Sequence, residues 1–304
     1  MKTKQSSIWA LPAHITGVFH IVEHENPLMM GSRGAGFSVS RRIRTLVKYD
    51  ESSKKQIRVL YNNQEINGKV SKAVANNFGK YFEKSSLIIE HKSDFPIQAG
   101  YGTSGAGAIG TAFALNEIFE TKKSDQELGQ MAHIAEVSCR TGLGDVIAQM
   151  LGNAEIRLKP GAPGIGVIKQ LDWPKEEMIL TATLGEISTK EIITNEEMIN
   201  RINTNSEKLL ADLEQNPTLD EFLRVSYEFA NKTGLMTGKL KELIEYLRED
   251  EFRANMVMLG ESLFVIGDIY DLEECSNIID NYDPNAKIWI DTLANVGPIK
   301  VAVW

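Results

Sequence analysis

One segment of the sequence combines many glycines with two hydroxyl side chains ahead of a predicted helix. Residues 95–116 read FPIQAGYGTSGAGAIGTAFALN and contain five glycines and five alanines. Glycines let a backbone wrap closely around an anion, and the N-terminus of a helix adds free N–H groups and a positive dipole end. Thr103 and Ser104 stand where the helix is predicted to begin, so either hydroxyl could cap it or reach a magnesium ion. The pattern predicts a phosphate-binding loop built from backbone groups.

Two other phosphate-binding loops fit this segment poorly. The Walker A loop needs Lys followed by Ser or Thr directly after its last glycine, whereas Gly105 is followed by Ala106 and Gly107. The dinucleotide fingerprint G-x-G-x-x-G matches twice, but it needs a strand that leads directly into the first glycine, and Pro96 interrupts such a strand. A helix that packs tightly through its small residues, without any ligand, stays open as an alternative.

The elements that must position this loop are predicted from periodicity and capping signals. Residues 14–23 and 36–49 alternate as strands, and residues 70–82 form an amphipathic helix with an apolar residue at every fourth position. Three further helices begin at capping boxes, namely Ser124 with Glu127, Thr194 with Glu197, and Thr218 with Glu221. Strands and helices alternate irregularly, which predicts an α+β or α/β fold in two layers. The linker-like segment at residues 159–166 places a domain boundary between residues 1–163 and 164–304.

Composition and charge indicate a globular protein that is not expected to bind nucleic acid. The chain has 304 residues, 42% of them hydrophobic, and a net charge of −8 from 33 basic and 41 acidic residues. These values are ordinary for a globular protein, and the length allows one large domain or two of medium size. A net negative charge disfavours binding to a nucleic-acid backbone unless basic residues are concentrated in one patch. The most basic segment, residues 40–48, is interpreted as the solvent-facing side of a strand and not as such a patch.

Cysteine use and hydropathy indicate a cytoplasmic protein. Cys139 and Cys275 cannot form a disulfide framework and have no metal-ligand spacing, which fits a reduced compartment. Pro12 and His14 interrupt the apolar residues near the N-terminus, so this segment is not expected to be a signal peptide. No segment approaches the roughly 18 apolar residues needed to cross a bilayer, so no membrane partner is expected.

The glycine-rich segment resembles the second motif of the GHMP kinase superfamily. The motif P-x-x-x-G-x-G-[ST]-S-x-A corresponds to Pro96, Gly100, Gly102, Thr103, Ser104 and Ala106. In that superfamily the loop wraps the ATP phosphates and a serine helps to hold magnesium, so the resemblance implies ATP and Mg²⁺ and assigns these residues and Gly105 to nucleotide binding. Usual members read G-L-G-S-S-A, and Tyr101 and Gly105 depart from that pattern.

Four longer segments resemble the archaeal pantoate kinases, one family within this superfamily. They are residues 11–45, 132–152, 184–193 and 255–264. The resemblance implies a two-domain architecture, with a left-handed βαβ crossover in the N-terminal, ATP-binding domain and an α/β sandwich in the C-terminal domain. It also implies a homodimer and phosphorylation of the 4-hydroxyl of pantoate in coenzyme A biosynthesis. Mevalonate, homoserine or shikimate as acceptor, and a regulatory nucleotide-binding module without turnover, remain alternatives.

The same resemblance assigns roles to three side chains. Asp145 in TGLGD resembles the S-G-x-D aspartate of mevalonate-type members and is the candidate base, although it also suits a helix N-cap. Glu136 joins Ser104 as a candidate magnesium ligand, with an exposed helix face as the alternative. His14 stands where mevalonate kinase has a lysine. It could orient Asp145 or bond the substrate, but an imidazole is not expected to be a fixed cation at pH 7, and a structural histidine is the alternative.

The carboxylate of pantoate favours a guanidinium partner. Arg33 lies between two glycine turns in GSRGAG and is the first candidate, and Arg140, next to the predicted base loop, is the second. Ser32 could add a hydroxyl contact. The third superfamily motif is usually glycine-rich, but residues 255–267 have one central glycine, Gly260, and read as apolar core.

Overall fold

The computed structural model describes residues 3–51, 54–185, 192–236 and 238–304. These residues form thirteen strands and eight α-helices. The strands are β1 (Thr3–Gln5), β2 (Ile8–Val22), β3 (Gly31–Asp50), β4 (Gln56–Tyr61), β5 (Gln64–Ile66), β6 (Ser86–Lys92), β7 (Ala154–Lys159), β8 (Val167–Gln170), β9 (Met178–Gly185), β10 (Arg253–Val257), β11 (Glu261–Gly267), β12 (Lys287–Asp291) and β13 (Ile299–Val301). The helices are α1 (Lys69–Asn76), α2 (Thr103–Phe119), α3 (Asp125–Cys139), α4 (Asp145–Leu151), α5 (Glu196–Gln215), α6 (Leu219–Thr233), α7 (Gly238–Glu249) and α8 (Ile269–Tyr282).

The long strands β2 and β3 form the centre of a nine-stranded sheet in the order β13-β2-β3-β6-β4-β5. β1 and β7 also pair with β3, and β8 pairs with β7. β2 and β3 pair antiparallel from Trp9 opposite Thr45 to Val22 opposite Gly31, with irregular register after Pro12 and Thr16. β4 and β6 are parallel, and α1 lies between them in the chain, so they form a βαβ unit. The left-handedness of that crossover stays a prediction.

The small residues of α2 let this helix lie directly on the large sheet. A Cβ on Gly110 would stand 2.5 Å from the hydroxyl of Thr45 on β3, and one on Gly107 would stand 3.2 Å from the ring of His91 on β6. The helix is therefore both a tightly packed small-residue helix and the helix that follows the glycine loop. The two interpretations of the sequence do not exclude each other.

A second sheet has four antiparallel strands in the order β10-β11-β9-β12. Helices α7 and α8 pack against it, while α5 and α6 pack on β2 of the large sheet. The mixed α+β class is confirmed. β8 and β13, which lie beyond residue 163, pair with β7 and β2 of the large sheet. The division into residues 1–163 and 164–304 stays a prediction.

Local signals in the sequence locate most helix starts but not all element ends. Ser124 and Glu127 form the predicted capping box, and Thr218 accepts from the backbone of Glu221. The start predicted at Thr194 is wrong by one residue, because Asn195 caps α5 through its side chain. α1 ends at Asn76, and a 3₁₀ turn over residues 79–81 follows, so the predicted helix to residue 82 is too long. No helix within the described residues is long and apolar enough to cross a membrane.

Candidate active site

A cavity of about 430 Å³ lies beside the start of α2. Its walls come from the glycine loop at residues 97–104, the loop at residues 141–145 before α4, and the turn at residues 258–259 between β10 and β11. Ser32 at the start of β3, residues 66–71 and Arg157 on β7 also line it. The cavity therefore joins segments that are far apart in the sequence.

The glycine loop has the backbone shape that the sequence predicts. Gly100 and Gly102 have φ values of 86° and 62°, in the left-handed region that favours glycine. Gly102 is the N-cap of α2, and no side chain of the described residues caps the helix, so the first N–H groups of α2 have no side-chain acceptor. Thr103 and Ser104 both line the cavity. The capping role that the sequence left open for these two hydroxyls is wrong.

Three contacts fix the loop in place. The buried side chain of Gln149 donates from Nε2 to the carbonyl oxygens of Pro12 (3.1 Å) and Gly102 (3.0 Å). The backbone N–H of His14 donates to the carbonyl of Tyr101 at 3.1 Å. Side chain and backbone groups of α4 and β2 therefore both hold the loop.

Tyr101 explains one of the departures from the usual loop sequence. Its ring is buried, stacks on Phe95 with centroids 4.1 Å apart and meets the edge of Trp289 on β12. Its hydroxyl lies 2.8 Å from Oγ1 of Thr183 on β9, and burial raises the pKa of Tyr101 to about 12. Tyr101 thus attaches the glycine loop to the small sheet, a task that a leucine at this position cannot perform.

The segment at residues 255–267 also meets the loop. It forms β10, a turn and β11, and a Cβ on Gly260 would clash with the carbonyl of Ala99. Ser262 is buried and donates to Thr183 at 3.0 Å, while Met258 and Leu259 line the cavity. The prediction of an apolar core segment is correct for the strands, but the turn belongs to the site.

Glu136 is buried on α3, 1% exposed, and two hydroxyls bind its carboxylate. Ser104 donates to Oε2 at 3.2 Å, and Thr141 donates to Oε1 at 2.9 Å. Burial, together with the nearby charge of Asp145, raises the pKa of Glu136 to about 8. A Cβ on Gly142 would clash with the carboxylate of Glu136 and stand 3.0 Å from Oδ2 of Asp145, so both carboxylates face the same glycine.

A divalent cation fits this arrangement. Glu136 is buried beside the carboxylate of Asp145, and its pKa is raised to about 8. A cation bound here would stabilise the ionised form of Glu136. Within the ranges that the structure describes, no three His, Cys, Asp or Glu side chains group as a metal site. The protein therefore offers the hydroxyl of Ser104 and the carboxylate of Glu136, a donor set that suits Mg²⁺, which retains waters and binds substrate phosphates.

Asp145, at the first turn of α4, belongs to a buried chain of charged groups. Its Oδ1 lies 3.0 Å from Nδ1 of His14, and Nε2 of His14 lies 2.9 Å from Oε1 of Glu155. Arg157 forms a short ion pair with the same oxygen of Glu155. Burial would raise the pKa of Asp145, but the hydrogen bond and charge of His14 and the charge of Arg157 outweigh it and lower that pKa. Asp145 is thus held ionised.

His14 contacts Asp145 and does not line the cavity. The ring is 0% exposed, and both nitrogens already face carboxylates. Burial would lower the pKa of His14, but the charges and hydrogen bonds of Glu155 and Asp145 raise it above its ordinary value. Both ring nitrogens are engaged within the protein, which leaves neither free to bond a substrate. Orientation of Asp145 by His14 stays a prediction, with a structural histidine as the alternative.

Arg157 and Glu155 are the two buried charges of the site that sequence reasoning missed. Arg157 is 1% exposed and lines the cavity, and its Nε has no hydrogen-bond partner in the described part of the chain. A Cβ on Gly144 would stand 2.6 Å from Oγ of Ser32 and 2.7 Å from Nε of Arg157, so these groups lie together next to Asp145. A signal existed, because Glu and Arg two residues apart in AEIRLK share one face of a strand.

The two arginines predicted from the sequence lie elsewhere. Arg33 forms an ion pair with Glu214 on α5 at 2.7 Å and does not line the cavity. Arg140 is exposed, ends α3 with a φ of 54°, and does not line the cavity either. Pro96, Gly105 and Ala106 support the loop from outside the cavity wall. Ser32 is the predicted substrate residue that the structure does bring to the cavity.

Comparison with known proteins agrees with this site. Residues 68–153 match the family described as GHMP kinases N terminal domain. The pantoate kinase of Methanocaldococcus jannaschii is 38% identical over 270 residues, which cover 89% of this chain and 96% of that protein. The pantoate kinase of Thermococcus kodakarensis is 33% identical over 278 residues, which cover 89% of this chain and 91% of that protein.

The structural comparison indicates the same family as the sequence comparison. A solved structure described as a phosphotransferase related to the CoA biosynthesis pathway superposes with a TM-score of 0.86 at 31% identity, and the match covers 97% of this chain and 98% of that one. The relatives and the solved structure match most of the chain, and the family match at residues 68–153 includes the glycine loop and the loop before α4. This chain belongs to the pantoate kinase family of the GHMP kinase superfamily.

Proposed function

We propose that this protein transfers the γ-phosphoryl group of ATP to the 4-hydroxyl of pantoate. The observation that carries the proposal is the ionised carboxylate of Asp145 on a cavity that also holds the open N-terminus of α2 and the guanidinium of Arg157. A phosphate-binding helix end, a base and a carboxylate partner are the groups that this reaction requires. The whole-length relatives that are described as pantoate kinases favour pantoate as the acceptor.

The phosphates of ATP are assigned to the glycine loop. Backbone N–H groups at the start of α2 and the positive φ of Gly100 and Gly102 form a concave anion site. Ser104 and Glu136 would hold Mg²⁺, and Thr141 would keep the carboxylate in position. When bound, the ion supplies positive charge to the transferring phosphate oxygens.

Asp145 is the proposed base. Oδ1 of Asp145 forms a hydrogen bond with His14, while Oδ2 of Asp145 lies next to Gly142, which lines the cavity. As the hydroxyl oxygen bonds to the γ-phosphorus and the bond from that phosphorus to ADP breaks, the hydroxyl proton passes to the carboxylate of Asp145. The lowered pKa of Asp145 ensures that the carboxylate is free of a proton before each turnover at neutral pH.

Arg157 and Ser32 are proposed to bind the carboxylate of pantoate. Arg157 keeps an unpaired Nε among the described residues, and Ser32 is buried next to it. Both lie against Gly144, one residue before the base. A short hydroxy acid held there by its carboxylate would extend its far hydroxyl towards Asp145.

A panel of acceptors tests the proposal. ADP formation from ATP and Mg²⁺ is measured with pantoate, mevalonate, homoserine and shikimate, for the wild type and for Asp145→Ala. We expect turnover with pantoate alone, and its loss in the variant. Turnover with another acceptor would support kinase activity but contradict pantoate as the substrate. ATP binding without turnover on any acceptor would favour the regulatory module.

The homodimer and the cytoplasmic location stay predictions. Sedimentation of the purified chain measures whether it forms a dimer.

A further inference from the structure

His14 lies between two carboxylates, and each of its ring nitrogens faces one of them. Nδ1 is 3.0 Å from Oδ1 of Asp145, and Nε2 is 2.9 Å from Oε1 of Glu155. An ionised carboxylate can only accept hydrogen bonds, so each ring nitrogen must donate one. An imidazole with hydrogen on both nitrogens is the imidazolium cation.

The surroundings of the ring contain few other charges. Asp145 comes from α4 and Glu155 from β7, and Arg157 contacts the far side of the Glu155 oxygen. β3 contributes Gly36, whose added Cβ would stand 2.7 Å from Nε2, so the ring is seated against bare backbone on that side. When His14 is protonated, the positive charges of His14 and Arg157 balance the negative charges of Asp145 and Glu155. With a neutral His14, one buried negative charge would have no counterpart, which is strongly unfavourable.

We propose that Glu155 is a positioning residue that holds His14 as a permanent imidazolium, and that this cation keeps Asp145 ionised and aimed at the acceptor. Glu155 is 0% exposed and does not line the cavity, so it acts only through the ring. The role of Asp145 in this statement rests on the proposed function. The charge of His14 does not, because it follows from contacts within the protein.

The electrostatics of the ring agree with its geometry. Burial alone would lower the pKa of His14, as it does for His91, which two hydroxyls contact and whose pKa falls to about 4. For His14 the charge of Glu155 and the bonds to both carboxylates outweigh burial. His14 and His91 are therefore expected in opposite charge states at neutral pH, although both are buried.

Nitrogen NMR of the full chain, without ligands and with labelled histidine, tests the charge state directly. The chain has five histidines, and the His14 signals are those that disappear in His14→Gln. We expect both His14 nitrogens to carry hydrogen at about pH 7.5, where an ordinary imidazole is mostly neutral, while His91 is neutral at the same pH. A neutral His14 at about pH 7.5 would overturn the proposal, and this measurement needs no variant to be active.

Glu155→Gln tests the cause. The amide can still accept from Nε2, but it lacks the charge, so the pKa of His14 should fall and the ring should lose a proton as pH rises. We expect kcat of the variant to fall about tenfold between about pH 6 and about pH 8, with the KM for ATP unchanged and no such fall in the wild type. Loss of activity by the same factor at every pH would show a merely structural role and contradict the proposal.

Two further results separate the possibilities. Glu117→Gln is the matched control, because Glu117 accepts bonds from Ser7 and Trp9 away from the cavity, and its pH profile should equal that of the wild type. If pantoate proves not to be the acceptor, the NMR result still decides the charge of His14. If Glu155→Gln does not fold, the wild-type titration alone supports or overturns the imidazolium.

Discussion

Glu136 is expected to carry a proton in the metal-free protein at neutral pH, because burial and the charge of Asp145 raise its pKa from 4.5 to about 8. The folded protein then binds more protons than the unfolded chain between these two values. The free energy of unfolding therefore falls as pH rises through that window. Magnesium must displace this proton, so Mg²⁺ should bind more tightly at about pH 8 than at about pH 6.

Glu136→Gln should stabilise the metal-free protein and abolish its activity. The neutral amide retains hydroxyl contacts without the cost of a buried charge, so we expect a gain of about 1–3 kcal/mol at about pH 9 and little gain below about pH 5. Urea unfolding at both pH values, in a chelator, measures this difference. An equal stability of both proteins at every pH would show that Glu136 is not protonated in the folded state.

Arg157→Lys should weaken the binding of pantoate. A lysine keeps the charge but loses the planar guanidinium, so we expect the KM for pantoate to rise about tenfold or more while the KM for ATP stays constant. Arg33→Lys is the matched control, since Arg33 pairs with Glu214 outside the cavity. If the control raised the KM for pantoate and Arg157→Lys did not, the carboxylate would belong to Arg33, as the sequence predicted.

At the scale of elements, the start of α2 depends on the backbone of Gly102. Gly102→Ala would place a Cβ 2.9 Å from Nε2 of Gln149 at a φ of 62°, which disturbs both the loop and its anchor. We expect a loss of stability of about 1–2 kcal/mol and a KM for ATP that rises about tenfold. Steady-state kinetics and unfolding of the same preparation measure both effects.

Gly238→Ala is the control for that substitution. Gly238 has a φ of 50° and nothing within 4 Å of an added Cβ, so the variant carries similar backbone strain away from the site. It should lose comparable stability with an unchanged KM for ATP. A raised KM in both variants would attribute the effect to general destabilisation and not to the loop.

The elements also show what a sequence can reveal about this site. The glycine loop and the α2 start were predictable, because positive φ and a helix N-terminus are local properties of residues 100–104. Glu155 and Arg157 were not assigned, because their role depends on β7 pairing with β3, where Glu155 lies opposite Gly36. The loss of Thr194 as a cap has a local cause, since the adjacent Asn195 is an equally good capping residue.

At the scale of the whole molecule, Tyr101 links the phosphate-binding loop to the small sheet. Its hydroxyl bonds Thr183, so Tyr101→Phe should cost about 1 kcal/mol of stability and raise the KM for ATP severalfold, while the ring stacking on Phe95 remains. Tyr49→Phe is the control, because it removes a hydroxyl contact to Ser85, just before β6, and neither residue lines the cavity. An unchanged KM for ATP in Tyr101→Phe would contradict a link that holds the loop.

The overall architecture was predictable only in part. Composition and periodicity gave a mixed α+β protein, and the resemblance supplied the family, which the comparisons confirm. Periodicity could not show that strands from the second half join the first sheet. β13, near the C-terminus, pairs with β2 near the N-terminus, and local sequence carries no record of a contact over that separation.

The identity of the product tests the central claim most directly. The protein is incubated with ATP, Mg²⁺ and pantoate, and phosphorus NMR follows the product of the wild type and of Asp145→Asn. We expect one phosphate ester on the 4-hydroxyl of pantoate from the wild type, and a rate reduced by about 10²–10⁴-fold in the variant. Phosphate on the carboxyl group, or release of inorganic phosphate alone, would contradict the assignment of Arg157 to the carboxylate and of Asp145 to the hydroxyl.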